Sequence, residues 1–441
     1  MHLKKLGTLA AAAVVGAGML MSAAQSASAE EVEITVAHPY GKIFRPIHQA
    51  IIKEFNKVHP DIKVKLEAPY PDYEEVAQRT LVGVTQKNAP TVSFQGINQI
   101  RQFVDAGYAY DLSGFKAADP RWQDKDGYYP SMMELGVFNG KQYAVPFAVS
   151  TPIMYINTEA FEKAGVEPPK TWEEFEEIAP ALKDAGYVPL VQSQLTWEMT
   201  ENFFSRNNLQ FATNNNGYDS VEGTEILVNT PEHVMMYEKL KDWYDNGYFG
   251  YYGAGWSDNQ KPFEENKVAL WIGSSGSFGG LQSTAQMPFS ATFLPYWGSI
   301  DGAGTNSFIG GAALFALSGK SDDENKCTAD FFQFLTSPEI QYFYHKSTGY
   351  VPVTTAAYEL AKEDGWYEEQ PVAEVGIQQL SLPGGEWSKG YRMGFYPQIR
   401  EVMEREYNKI FAGETSVQDA MATIEQEGNA LLARFAKTAG N

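Results

Sequence analysis

Hydrophobic and polar positions along the chain change period several times, and each change marks an element. In EVEITVAH (31–38) apolar residues fall at alternate positions, which predicts a strand. FRPIHQAIIKEFNKVHP (44–60) carries them at helical spacing, and Pro60 ends the run. IKVKLEA (62–68) returns to the strand pattern. DYEEVAQRTLVGVTQ (72–86) returns to helix, with Asp72 as N-cap and carboxylates in the first turn. TVSFQ (91–95) is a third strand. Strands alternating with helices imply a mostly parallel sheet covered on both faces. Ligands of such sheets sit beyond the carboxyl ends of the strands.

Further on, YAVPFAVSTPIMYIN (143–157) reads as two strands joined through Ser150-Thr151-Pro152, a crossing between two lobes. TWEEFEEIAPALKDAG (171–186) opens with Thr171 and Glu174 at capping-box spacing, and Pro180 predicts a kink or an early end. VMMYEKLKDWYDNG (234–247) is an amphipathic helix, and SFIGGAALFAL (307–317) a strand. Ser337-Pro338-Glu339 starts another helix with a cap, a first-turn proline and an acid on the dipole. IREVMEREYNKIFAGE and VQDAMATIEQEGNALLARFAK make two last helices on a lobe.

The N-terminus carries an export address. His2, Lys4 and Lys5 precede the apolar run LGTLAAAAVVGAGMLM, and Ala27-Ser28-Ala29 is an A-x-A cleavage site. Residues 1–29 are therefore expected to be removed. The only cysteine, Cys327, lies far from that site, so no lipid anchor is expected there, and no internal disulfide can form. A free protein of an oxidising compartment is the expectation, with Cys327 buried and inert.

Of 441 residues, 44% are hydrophobic and 14% aromatic, enough for two packed domains. Loss of Lys4 and Lys5 takes the formal charge from −21 to −23. Such a chain repels nucleic acid and anionic membrane, so an anionic ligand must be held by a local site.

Catalytic signatures are weak. Histidines 2, 38, 48, 59, 233 and 345 lack metal-site spacing, and no G-x-S-x-G elbow occurs. No metal, cofactor or catalytic residue is expected. With 55 acidic residues, close carboxylate pairs are unavoidable and identify no glycosidase centre. LWIGSSGSFGGL (270–281) stands out: hydroxyls and free amides suited to an anion, without the lysine of a phosphoryl-transfer loop. Its plain alternative is an ordinary strand-to-helix turn.

The order of motifs narrows this. FAVSTPIMYIN, ENFFSRNNLQFATNNNGYD, LWIGSSGS, IGGAALF, HKSTGYVPV and KGYRMGFYPQIR follow one another over nearly the whole mature chain. In this the chain resembles the periplasmic glycerol-3-phosphate-binding proteins of ABC importers, in the solute-binding family that also holds maltose receptors. The resemblance implies an α/β fold of two hinged lobes, a periplasmic-binding-protein clamshell with mixed sheets flanked by helices. It implies a first lobe at 30–150, a second at 151–306, return segments and hinge at 307–350, and C-terminal helices at 351–441. It assigns the phosphate end to Tyr73, Ser150, Ser274, Gly311, Tyr350 and Arg400, with Trp197 beside the rest of the solute. Arg400 supplies a permanently charged fork, the serines hydroxyl donors, Gly311 a backbone amide and the tyrosines rings with donors.

At the far end the chain departs from that pattern. Ile97 stands where the family places a glutamate for the glycerol hydroxyls, with Gln95 or Asn98 as substitutes. Gln194 replaces the first of two indoles and leaves Trp197. A glycerophosphodiester, or another small phosphorylated polyol, then fits as well as glycerol-3-phosphate. The expected partners are a small anionic solute and a membrane permease pair driven by a cytoplasmic ATPase, with the receptor a monomer. A neutral-sugar receptor is the rival reading, and a secreted carbohydrate-active enzyme the other class.

Overall fold

The structure, a computed structural model, describes residues 31–41 and 44–439; the expected signal segment and its cleavage site lie outside them. Each lobe is built on a five-stranded sheet. In the first, Ile62–Leu66, Val32–Ala37 and Val92–Gly96 run parallel, as the alternating pattern implies. Gly310–Ala316 then enters antiparallel, between Val92–Gly96 and Val145–Ser150. The sheet is mixed because a strand from late in the chain completes it.

The second sheet has the order Phe289–Phe293, Pro152–Asn157, Val268–Ser274, Val188–Gln192, Phe249–Gly250. Its central strands Pro152–Asn157 and Val268–Ser274 are buried along their whole length, so they read as apolar runs and not as alternation.

Two large cores follow. Phe55, Phe94, Phe147 and Leu314 centre the first lobe, and Met154, Phe204, Tyr237, Leu270 and Met403 the second. Each such side chain contributes about 1.5–3 kcal/mol on burial. The last helices, Tyr396–Ala412 and Val417–Ala439, belong to the second lobe through Met403, Tyr407, Met421 and Ile424. Cys327 is buried and free, and burial pushes its thiol pKa up.

Local signals hold with two exceptions, the first being Ser337, which precedes its helix as expected but caps no amide, its hydroxyl donating to the Phe334 carbonyl at 2.8 Å. Asp72 accepts from the Glu75 amide, and Thr171 with Glu174 closes a full capping box. Pro180 does not end its helix, which runs unbroken over Trp172–Asp184. Proline forfeits one hydrogen bond there, while Phe175, Ala179 and Leu182 anchor the helix on both sides of it.

The lobes meet at Thr151, the single residue between Val145–Ser150 in one sheet and Pro152–Asn157 in the other. Buried Gln379 ties this crossing together. Its Nε2 lies within hydrogen-bond distance of Thr151 Oγ1 (2.8 Å), the Pro152 carbonyl (2.7 Å) and Ser307 Oγ (2.9 Å), which share its two N–H groups, and its oxygen accepts from the Leu294 amide (2.6 Å). Three separate segments therefore share one side chain at the hinge.

Candidate functional site

A cleft of about 870 Å³ lies between the lobes and collects residues from both. Its wall includes Tyr73, Ser150, Trp197, Ser274, Gly311, Tyr350 and Arg400, together with Ile97 and Gln194.

The hinge explains how the two serines converge. Ser150 ends its strand one residue before Thr151, and Pro152, one residue after, pairs with Ser274. The Ser275 amide donates to the Thr151 carbonyl at 2.9 Å, locking the glycine-serine loop onto the crossing. That loop is a strand, the tight turn Ser275–Ser277 and the helix Phe278–Thr284. Ser274 Oγ accepts from the Gly276 amide (3.1 Å), so its hydroxyl hydrogen remains available to a solute.

Opposite, Gly310 and Gly311 open the strand that pairs with Ser150. Gly311 has φ +91°, and a Cβ there would stand 1.8 Å from the Ala148 carbonyl oxygen, so only glycine fits. A Cβ on Gly310 would strike the Trp197 indole at 2.4 Å, so its absence lets that ring lie on the strand.

Tyr73 opens the helix Tyr73–Thr85, and its hydroxyl lies 3.1 Å from that of Tyr40. Tyr350 follows the helix Pro338–Thr348 and stacks parallel to Tyr344 at 5.6 Å. Burial pushes Tyr350 up to about 12 and Tyr73 well above the usual phenol value. Both remain proton donors.

Arg400 sits in the helix Tyr396–Ala412 with a side chain 13% exposed. Its Nε and Nη2 donate to the two oxygens of Glu201, at 2.7 and 3.0 Å. Glu201 also accepts from Tyr391 (2.7 Å) and Tyr396 (2.8 Å). Burial leaves the Glu201 carboxyl above its usual value although the guanidinium and the two tyrosine hydroxyls pull it down, while the carboxylate holds Arg400 well above its own ordinary value against burial. From the other lobe, Glu74 lies 3.8 Å from Arg400 Nη1. Two of the five N–H groups of the expected fork are therefore engaged by Glu201, one on Nε and one on Nη2.

Glu201 and Trp197 both project from Leu195–Glu201, a π-helical turn of the kind that recurs at functional sites. Buried Glu198 holds the start of that turn by accepting from the Ser193 (2.7 Å) and Gln194 (3.0 Å) amides.

At the far end Asn98, not Gln95, reaches the cleft. Gln95 points into the first lobe, 2.5 Å from Ser93 Oγ, while Asn98 lines the wall with an unpartnered Nδ2. The second indole is not missing either. Trp256 stands beside Trp197, ring centroids 6.2 Å apart, from a segment some sixty residues away in the chain. Nor is the cleft short of carboxylates: Asp72, Glu74, Glu201, Asp258, Glu401 and Glu404 line it, and among the described residues Arg400 is the one cationic side chain in its wall. Sequence reading missed Trp256 and Glu201. A lone tryptophan in GAGWSD carries no signal, and Glu201 is one acid among 55. Among the described residues no cluster of metal-ligating side chains occurs, and no helix is long and apolar enough to cross a membrane.

Two sheets hinged over a cleft of donors and aromatic rings define a solute receptor, and residues 50–374 match the bacterial extracellular solute-binding proteins. The chain belongs to that family and is a binding protein, not an enzyme. It is 32% identical to the sn-glycerol-3-phosphate-binding periplasmic protein UgpB of Pectobacterium atrosepticum, covering 96% of each chain. It is also 32% identical to UgpB of Salmonella typhimurium, over 88% of this chain and 90% of that one. Among solved structures, UgpB from Mycobacterium tuberculosis in complex with glycerophosphocholine is similar with a TM-score of 0.77 at 22% identity, covering 92% of this chain and 98% of that one. Maltose-bound MalE3 from T. maritima is similar at 0.74 and 19%, covering 90% and 98%.

Proposed function

We propose that the protein is the periplasmic, monomeric solute receptor of an ABC importer, exported by its cleaved signal peptide and free of a lipid anchor. Its solute is a small phosphate ester of a polyol, with glycerophosphodiesters preferred over glycerol-3-phosphate. Ser150, Ser274, Tyr73, Tyr350, the Gly311 amide and Arg400 Nη1 hold the phosphate, and Trp197 packs on the remainder. Ile97 and Gln194 shape the end where the family's glycerol contacts differ.

The pairing of Arg400 with Glu201 carries the preference. A neutralised guanidinium plus hydroxyl and amide dipoles suits a single negative charge. A second charge on the phosphate would face Glu74, Glu401 and Glu404, with no second cation among the described lining residues to offset them. One added charge about 6 Å from a carboxylate costs about 3 kcal/mol at an effective dielectric of 20. A cationic substituent on a diester gains from the same acids. The 32%-identical relatives named for sn-glycerol-3-phosphate support the ester class, and the relative solved with glycerophosphocholine the diester.

Binding works by closure. A solute touching Tyr73 on the first lobe and Ser274 and Arg400 on the second favours the state in which all three converge. The closed form then docks on the permease. Calorimetry with glycerophosphocholine, sn-glycerol-3-phosphate and maltose tests this reading. Heat is expected with the first two, strongest with the diester, and loss of both in Arg400→Ala. Binding of maltose alone, or an Arg400→Ala variant of unchanged affinity, refutes it.

A further inference from the structure

Outside the cleft, a second set of contacts crosses between the lobes. Arg101 belongs to the first-lobe helix Ile100–Asp105, and Asp105 fixes its Nε at 3.1 Å. Its Nη1 donates to two carbonyls of the second lobe, Gly217 at 2.9 Å and Arg392 at 3.0 Å. None of these three residues lines the cleft.

The accepting turn has an unusual build. Asn214, Asn215 and Asn216 have φ of 52°, 54° and 54°, and Gly217 has 79°: four successive left-handed residues. L-residues visit this region singly, and each non-glycine held there costs energy that its surroundings must offset. Asn216 supplies part of the support. Its oxygen accepts from the Phe211 and Ala212 amides, and its nitrogen donates to the Trp387 and Gly390 carbonyls. The Arg392 amide donates to the Asn216 carbonyl at 2.8 Å. The turn and the 387–392 segment are thus one unit, which offers two adjacent carbonyls to a cation.

Arg392 answers in the opposite direction. Its guanidinium lies between Phe138 of the first lobe (4.3 Å) and Tyr218 of the second (4.5 Å), and Nη2 donates to the Glu134 carbonyl at 3.1 Å. Leu135 and Gly390, the neighbours of these contacts in sequence, do line the cleft, so the set closes one of its margins.

We infer that Arg101 and the left-handed Asn214–Gly217 turn form a clasp that sets solute affinity from outside the cleft. Arg101 is a positioning residue: it touches no solute and stabilises the lobe arrangement in which the solute is held. Charge-assisted bonds from a first-lobe guanidinium to two second-lobe carbonyls, within its reach in that arrangement, give the required differential contact. The inference rests on closure and not on the identity of the solute.

The test compares wild type with Arg101→Gln and Arg101→Lys. In the ligand-free proteins, amide exchange over 213–218 and 389–392 is expected to be faster in Arg101→Gln, with Arg101→Lys intermediate and melting temperatures of all three alike. With glycerophosphocholine as probe, followed by tryptophan fluorescence in stopped flow, Arg101→Gln is expected to raise koff about tenfold and leave kon unchanged. Unchanged exchange in both segments overturns the clasp, as does a wild-type koff. A wild type that binds neither glycerophosphocholine nor sn-glycerol-3-phosphate refutes the solute class, while the exchange measurement still decides the clasp. A melting temperature that falls in both variants makes Arg101 a fold-stabilising residue only and overturns the proposal too.

Discussion

Arg400 meets Glu201 edge to edge, with Nε and Nη2 each donating to one carboxylate oxygen. The pair is nearly dry, so removing one partner leaves the other uncompensated. Glu201→Gln is expected to lower unfolding stability by about 3–5 kcal/mol in urea titrations. A phosphate ester would then replace the lost counter-charge, so its stabilising effect should exceed that in wild type. Equal ligand-induced shifts would disprove the charge-balance account.

Trp256 should matter to binding although it lies far from Trp197 in sequence. Trp256→Ala removes half of the indole pair, and an affinity loss of about tenfold, near 1.4 kcal/mol, is expected by calorimetry. An unchanged affinity would place the ring outside the solute's reach.

Gln379 joins three segments at the hinge through its carbonyl oxygen and its two N–H groups. Gln379→Leu strands those partners without water. A loss of about 3 kcal/mol in chemical denaturation is expected, from several buried groups left unpaired. A change within 0.5 kcal/mol, the range of ordinary surface substitutions, would contradict the role of this node.

Acid should weaken the fold through its histidines. Burial lowers His38, His233 and His345 to about 4 and His48 to about 3. In the unfolded chain they titrate near 6.5, so below that pH the unfolded state binds more protons. The stability they contribute is present above pH 6.5 and is lost as pH falls toward 4 and 3. Thermal melts between pH 7.5 and 4 should show a falling midpoint across that window; a flat profile would count against neutral buried histidines.

Much of the architecture was legible because its signals are local. Asp72 and the Thr171–Glu174 box cap their helices as spaced, and Ser150-Thr151-Pro152 is the lobe crossing. The mixed first sheet was harder, since Gly310–Ala316 joins it from more than two hundred residues away in the chain. At the site, residues that share motifs with the family could be named from sequence, and all of them line one cleft. What escaped was relational. Nothing in KGYRMGFYPQIR shows that Arg400 is already paired, and nothing in QLTWEMTENF shows that a further ring stands beside Trp197 at Trp256.

The turn at Leu195–Glu201 also bears on how such receptors diversify. A π-turn accommodates one residue more than an α-helix would, so deletion of Met199 or Thr200 would relax it and swing Trp197 by roughly 100° relative to Glu201. Length changes at this one spot would redraw the cargo-facing wall while the hinge and both scaffolds stayed as they are. A lineage could in this way trade one nutrient for another without rebuilding its receptor.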